Sequence, residues 1–253
     1  MLGGFVRMEK ELQGKIALVT GSARGLGKAI AMELAAKGAD IIVNDIPPME
    51  EVALKTVEEL KAMGVNAKFY GAFVNKEEDV NKMFAEVGQV DILVNNAGIN
   101  RDGHMRKTTK TDWDAVLDVN LTGPYLCTKA VIPQMVERGW GRIINIASYV
   151  GRTGVFGTPY YAASKSGLIG FTKEVAMEMA KKGITINALA PGYIGTDMML
   201  QYPKEQLDAI TAKIPVGRFA QPADIAYWAG VLASPRAHYM TGGVIDCNGG
   251  SWM

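Results

Sequence analysis

Lys15-Ile16-Ala17-Leu18-Val19-Thr20-Gly21-Ser22-Ala23-Arg24-Gly25-Leu26-Gly27 decides the fold. An apolar strand runs straight into a glycine turn, and an Ala-rich helix follows as far as Lys37. In that order the three pieces make a nucleotide cradle. Gly21 permits the tight turn, Gly25 lets backbone approach a pyrophosphate, and Gly27 lets the helix pack on the strand. The positive end of the helix dipole then attracts the phosphates. Gly21, Ser22, Arg24, Gly25, Leu26 and Gly27 are therefore the expected phosphate-binding set.

The next strand, Asp40 to Asn44, ends at Asp45, about 20 residues past the turn, where an acid accepts from the adenosine ribose 2′-hydroxyl. A 2′-phosphate there would meet a carboxylate, so NAD is expected over NADP, with Arg24 as a partial compensation that keeps NADP open. An ordinary surface Asp opening the Pro47-Pro48 turn is the plainer alternative. Strands continue to alternate with helices: a helix over Met49 to Met63, a strand over Ala67 to Val74, a helix over Lys76 to Val87, and a strand over Asp91 to Asn95. That alternation predicts an α/β fold, a Rossmann-type doubly wound parallel sheet of about seven strands with helices on both faces.

The chemistry is expected between Arg142 and Lys165. Ile143-Ile144-Asn145-Ile146 reads as buried strand and breaks at Ser148; a glycine-rich loop, Gly151 to Gly157, precedes a helix entered through Thr158 as N-cap and Pro159 in the first turn. Tyr161 and Lys165 fall one helical turn apart, with Cβ atoms roughly 5 to 6 Å from each other, so an ammonium sits close enough to favour phenolate. A free tyrosine titrates near ~10 and each unit of lowering takes ~1.4 kcal/mol, so an unassisted phenol is a poor acid-base catalyst at neutral pH. Tyr160, the rival phenol, has Ser164 and not a lysine four residues on.

Ser148 followed by Tyr161-Ala162-Ala163-Ser164-Lys165 resembles the catalytic segment of the short-chain dehydrogenase/reductase family. The resemblance extends over nearly the whole chain after Gln13. Thr20-Gly21 through Gly27 has that family's glycine spacing, and Asn95-Asn96-Ala97-Gly98 matches its fourth-strand signature, which braces the sheet beneath the cofactor. The resemblance implies catalytic roles for Asn120, Ser148, Tyr161 and Lys165, with Asn120 positioning the lysine through a bound water and Lys165 holding the nicotinamide ribose. It implies cofactor contacts at Asn96, Ala97 and Gly98, and at Pro191, Gly192, Ile194 and Thr196 after a sixth strand, Ile184 to Leu189. A seventh strand is expected over Gly242 to Asp246. Where the family usually places an Asp-Val pair against adenine, this chain has Phe73-Val74, so an apolar or stacking contact replaces a side-chain hydrogen bond. The helix ending at Val87 also looks short for the family.

With 253 residues, 48% of them hydrophobic, the chain can bury a sizeable core, and one domain over 14–253 is expected after an N-terminal extension, 1–13. Net charge near +1 offers no basic stripe for nucleic acid and no polybasic tail for a membrane. The two cysteines, Cys127 and Cys247, show neither metal-ligand spacing nor a disulfide framework, and no metal is expected. The N-terminus has too short an apolar run for a signal peptide, so a cytoplasmic protein is expected. A serine hydrolase is disfavoured: Ser148 lies outside any Gly-x-Ser-x-Gly turn and the histidines are His104 and His238. An inactive cofactor-binding partner subunit is disfavoured by the presence of all four catalytic residues.

The expected reaction is hydride transfer between NAD(H) and a secondary alcohol or ketone. Asn96 to Asp102, Asp112 to Val116, Gly139 to Asn145 and Ile214 to Arg218 look like acetoacetyl-CoA and 3-oxoacyl-carrier-protein reductases, which ranks a 3-oxoacyl thioester first and a sugar or polyol second. Ser148, Tyr149, Arg152, Tyr161, Met198 and Met199 are the expected substrate residues, the two methionines lying in a segment that resembles the family's substrate cover. Ala162, Ala163, Ser166, Gly167 and Gly170 give a stripe of small side chains, and a homotetramer is expected.

Overall fold

Most strands of the sheet are short apolar runs with two faces to bury, and the computed structural model, which describes residues 10–101, 103–196 and 203–252, shows how both are covered. The strands are β1 (Ile16–Thr20), β2 (Asp40–Asp45), β3 (Ala67–Gly71), β4 (Ile92–Asn95), β5 (Gly141–Ile146), β6 (Ile184–Pro191) and β7 (Val244–Cys247). They form one seven-stranded sheet in the order β3-β2-β1-β4-β5-β6-β7, and every pairing is parallel. Side chains alternate across it. Ala17, Val19, Ile41, Val43, Ile92 and Val94 join a core with helices α1 (Gly25–Ala36), α2 (Glu50–Ala62) and α9 (Pro222–Ala233). Leu18, Ile42, Leu93 and Ile143 turn to the other face, against α3 (Glu77–Val87) and α5 (Gly123–Arg138). This is the doubly wound architecture expected.

The strand order reverses between β1 and β4, and a ligand crevice opens at the carboxyl ends of the strands at such a point. Gly21 follows β1, Asp45 ends β2, Asn95 ends β4 and Ser148 follows β5, so distant parts of the sequence meet on one edge of the sheet. The remaining helices are α4 (Lys110–Leu117), the short α6 (Val150–Thr153), α7 (Pro159–Met179) and α8 (Lys204–Thr211). A π-helical turn, Asp118–Thr122, joins α4 to α5.

Several boundaries differ from the sequence reading for identifiable reasons. β3 stops at Gly71 instead of Val74, because Phe73 gives its N–H to the Asp79 carboxylate at 3.1 Å and leaves the ladder. The first three residues of the expected glycine-rich loop, Gly151 to Thr153, belong to the helix α6. Thr158 does not cap α7; its hydroxyl donates backwards to the Val155 carbonyl at 2.8 Å. Residues 10–13, read as part of an extension, pack on the body: Leu12 is buried in the core, and Glu11 pairs with Lys37 at 3.0 Å and accepts from Ser234 at 2.7 Å.

Candidate active site

At Gly21 and Gly27 the glycine turn is held by contacts that leave no room for a side chain. Gly21 adopts a φ of +64°, and a Cβ on it would approach the Ala97 Cα to 2.9 Å. A Cβ on Gly27 would run into the Gly21 carbonyl oxygen. Asn96 braces the turn by donating from Nδ2 to the carbonyls of Thr20 (2.9 Å) and Gly21 (3.0 Å), while the Thr20 hydroxyl accepts from the N–H groups of Asn96 and Ala97, both at 3.0 Å. The corner read from Asn95-Asn96-Ala97-Gly98 thus locks β4 onto β1. No side chain caps α1, its first turn carries no acid, and the space over Gly25 is open. Uncapped N–H groups at the positive end of a helix dipole suit a pyrophosphate, so these residues fit a dinucleotide.

Around this cradle lies a cleft of about 640 Å³, into which Gly21, Arg24, Gly25, Leu26, Gly27, Asp45, Phe73, Val74, Asn96, Ala97, Gly98 and Thr196 all open. Asp45 accepts from the Ala23 N–H at 3.1 Å through one oxygen and from the Ile46 N–H at 2.9 Å through the other. Ser22 does not fit its expected role: it is fully buried, and its hydroxyl donates to the Val19 carbonyl at 2.6 Å, inside the turn. Pro191, Gly192 and Ile194 stand outside the cleft wall. Pro191 ends β6 and accepts from the Tyr149 N–H, Gly192 donates to the Cys247 carbonyl, and Ile194 bridges to Ala220. Ile46, Met49, Asn75, Ile99 and Val119 also line the cleft and were missed in the sequence. Ile46 carried a usable signal, since it immediately follows the acid that ends β2.

Asn120 sits in the π-helical turn, a distortion that recurs at functional sites, and is fully buried. Its Oδ1 accepts from the Ile99 N–H at 2.8 Å, and its Nδ2 donates to the Ile99 carbonyl at 2.9 Å and the Ser164 hydroxyl at 3.2 Å. A Cβ on Gly98 would lie 3.3 Å from Asn120 Oδ1 and 3.6 Å from Lys165 Nζ, so both side chains converge on one point beside the cleft. Lys165 is 4% exposed and donates to the Ile146 carbonyl at 2.8 Å. Burial brings its pKa down to about 8, which leaves it mostly cationic at neutral pH. Its ammonium stands 5.5 Å from the centre of the Tyr161 ring.

Ser148 lies two residues beyond Ile146, is buried, and accepts the Val150 N–H at 3.2 Å. The chain carrying it is pressed on α7 at Gly151, where a Cβ would come within 2.7 Å of the Lys165 carbonyl carbon. Tyr160 has a structural role: its hydroxyl accepts from the Thr109 N–H at 2.6 Å. Tyr149 packs against Tyr193 with ring centres 5.7 Å apart, and burial raises its phenol pKa, so it serves as a neutral wall. Arg152 departs from its expected place as a substrate cation. Asp246 holds it at 3.5 Å and it stacks on Trp252 at 4.4 Å, which commits its charge to the C-terminal segment. Met198 and Met199 lie outside the described residues.

Among the described residues no helix is long and apolar enough to cross a membrane, and no group of three or more His, Cys, Asp or Glu could hold a metal. A family model described as short chain dehydrogenase matches residues 15–207. The 3-oxoacyl-[acyl-carrier-protein] reductase FabG of Aquifex aeolicus is 45% identical, the match covering 96% of this chain and 99% of that one. Nodulation protein G of Azospirillum brasilense is 46% identical, covering 93% and 97%. A crystal structure assigned provisionally to a gluconate dehydrogenase of Agrobacterium tumefaciens superposes with a TM-score of 0.91 at 34% identity, over 96% of this chain and 97% of that one. The chain belongs to the short-chain dehydrogenase family: it is an oxidoreductase that acts on CH–OH groups with a nicotinamide dinucleotide.

Proposed function

We propose that this chain interconverts 3-oxoacyl and 3-hydroxyacyl thioesters with NAD(H). The observation that carries the substrate class is the 45% identity, over 99% of its length, to a relative named for 3-oxoacyl-carrier-protein reduction. The gluconate dehydrogenase likeness, at 34% identity, favours the second reading, a sugar or polyol dehydrogenase. A coupled assay decides between them: NADH oxidation with acetoacetyl-CoA is expected to exceed, in kcat/KM, that with simple ketones and keto-sugars. Equal or better efficiency with a keto-sugar, or with gluconate in the oxidative direction, overturns the acyl reading.

The bound cofactor supplies or accepts a hydride at its nicotinamide, and the protein supplies position and a proton. Tyr161 donates that proton to the nascent alkoxide in reduction and removes it from the alcohol in oxidation. Ser148 donates a hydrogen bond to the same oxygen, where charge develops; help of this kind is worth roughly 10² to 10⁴ in rate. Lys165 places a positive charge beside the phenol, which favours the phenolate that remains after donation. Asn120 holds the Ile99 backbone and Ser164 in register with Lys165, and the point on which it and the ammonium converge suits a water that relays protons to Tyr161.

Preference for NAD over NADP rests on Asp45, whose carboxylate at the end of β2 would repel a 2′-phosphate. We place the catalytic domain at 14–253, with residues 10–13 packed on it through Leu12 and Glu11, and the protein in the cytoplasm. A homotetramer is supported by the outer face of α7, where Ser166 and Gly170 are exposed and no atom lies within 4 Å of a Cβ on Gly170. Gly167, from the same stripe, packs internally on Leu121. Light scattering that returned a monomer mass at micromolar concentration would overturn the assembly.

A further inference from the structure

Asp45 marks where the adenosine ribose would sit, so the base belongs at the outer end of the cleft, among Ile46, Met49, Ala72, Phe73 and Asn75. Asp45 is the sole carboxylate among the described residues lining that cleft, and both its oxygens already accept backbone N–H groups. The neighbouring acids, Glu50 and Asp79, open instead onto a separate hollow of about 560 Å³, and Asp79 accepts the Phe73 N–H at 3.1 Å. Lys76 opens onto that same hollow, with its ammonium 4.4 Å from the centre of the Phe73 ring. Phe73 alone of these four residues borders both spaces. Phe73 stands between the two spaces, with Lys76 and Asp79 on the hollow and the cleft on the other side.

We propose that Phe73 is the residue that holds the base of the dinucleotide, through face contact with its ring, and that no side chain of this protein reads the exocyclic amino group of adenine. The inference rests on the cofactor reading above and deepens it. Aromatic stacking is tolerant of base identity because every base has a π-face. The Lys76 ammonium is drawn to the ring's electron-rich face and helps fix its plane. Asn75 is the neutral hydrogen-bonding side chain at this end, and the same experiment tests it.

Calorimetric titration of the full chain measures the point without relying on turnover. The probes are NADH, the reduced dinucleotide carrying unsubstituted purine in place of adenine, and reduced nicotinamide mononucleotide. Wild-type protein is expected to bind the two dinucleotides with Kd values within about threefold of each other. Phe73→Ala is expected to weaken both by about tenfold or more while leaving the mononucleotide unchanged. Phe73→Leu, which keeps an apolar wall and protects the test against misfolding, is expected to fall between. Phe73→Asp is expected to create a preference for adenine over purine that the wild type lacks. A tenfold wild-type preference for the adenine form, or undiminished binding in Phe73→Ala, overturns the proposal and leaves the cofactor reading standing. Failure of wild-type protein to bind any of the three overturns the cofactor reading and this proposal together.

Discussion

Arg142 and Lys165 are both buried cations, at 2% and 4% exposure, and among the described residues neither has a carboxylate at ion-pair distance. Their surroundings differ. The Arg142 guanidinium lies 4.5 Å over Trp140 and donates to four backbone carbonyls, those of Gly141, Gly183, Ser234 and Pro235. Among the described residues Lys165 donates to the Ile146 carbonyl, and its ammonium stands 5.5 Å from the centre of the Tyr161 ring. A buried charge whose donors are satisfied by the fold is a staple between segments, here β5, the turn before β6 and the end of α9. One with fewer such bonds, beside a phenol, is placed to act on that phenol; burial lowers the pKa of both cations, to about 8 for Lys165.

The Lys165 charge acts through a phenol, so removing the phenol is expected to give the largest effect. Tyr161→Phe is expected to reduce kcat by about 10² to 10⁴, to below a few per cent of wild type, while the NADH dissociation constant changes little. Retention of a tenth or more of the wild-type rate would remove Tyr161 from the mechanism and leave the lysine without a client.

The two cations can then be compared directly as methionine variants. Lys165→Met is expected to lower kcat at least about a hundredfold with an unchanged or raised Tm, because the desolvation cost of the ammonium disappears. Arg142→Met removes the donor to four carbonyls, of which that of Ser234 keeps the Ala237 N–H and those of Gly183 and Pro235 lie on exposed residues, and is expected to cost about 3 kcal/mol, a fall in Tm of roughly 6 to 12 °C, with near-normal activity in the folded fraction. If Lys165→Met proved as destabilising as Arg142→Met, both cations would be staples and the distinction would collapse.

The pH dependence follows from the same contrast. Lys165 has a folded pKa of about 8, below the 10.5 of a free lysine, so above pH 8 the unfolded chain binds more protons than the folded one. Its contribution to stability therefore improves as pH rises from about 8 toward 10.5, while the charge that assists Tyr161 is lost over the same range. Reductive kcat is expected to fall as pH rises through about 8, approaching tenfold per unit, while thermal stability shows no loss from this group. A flat reductive profile between pH 7 and 9.5 would place the lysine's charge outside the reaction.

What could be read from the sequence was what is local. The Gly21 to Gly27 turn and the spacing of Tyr161 and Lys165 are fixed within one or two helical turns, and both stand where the residues implied. Asn120 was legible only through resemblance, because its role depends on a π-helical turn and on Ile99, 21 residues away. The errors are choices of side-chain partner, one of them long-range and two local. Arg152 finds Asp246 and Trp252 nearly a hundred residues later, Ser22 turns inward to Val19, and β3 ends early because Asp79 reaches back to Phe73. A small polar residue in a glycine turn looks the same in sequence whether its hydroxyl faces ligand or strand. Arg142 carried no separate signal as a staple either, since the carbonyls that hold it come from three separate segments.

The smallest expected effect concerns the other charged group of the site, Asp45, which differs from both cations in being partly exposed and already doubly engaged by the Ala23 and Ile46 N–H groups. Those bonds tie its carboxylate to the glycine turn, so it cannot swing aside to admit a 2′-phosphate without losing them, and a phosphate would meet a fixed negative charge. Solvent screens that repulsion, which limits the discrimination to a few kcal/mol at most. Asp45→Ser keeps a hydroxyl able to accept one of the two N–H groups and removes the charge. The ratio of kcat/KM with NADH to that with NADPH is expected to favour NADH in the wild type and to narrow by about tenfold in the variant, chiefly because NADPH improves. Raising the salt concentration should narrow the wild-type ratio in the same direction and leave the variant's nearly unchanged, since only the wild type has a charge to screen. A wild-type preference for NADPH, or a ratio that Asp45→Ser does not move, would show that Arg24, at the mouth of the same cleft, and not Asp45 sets the choice of cofactor.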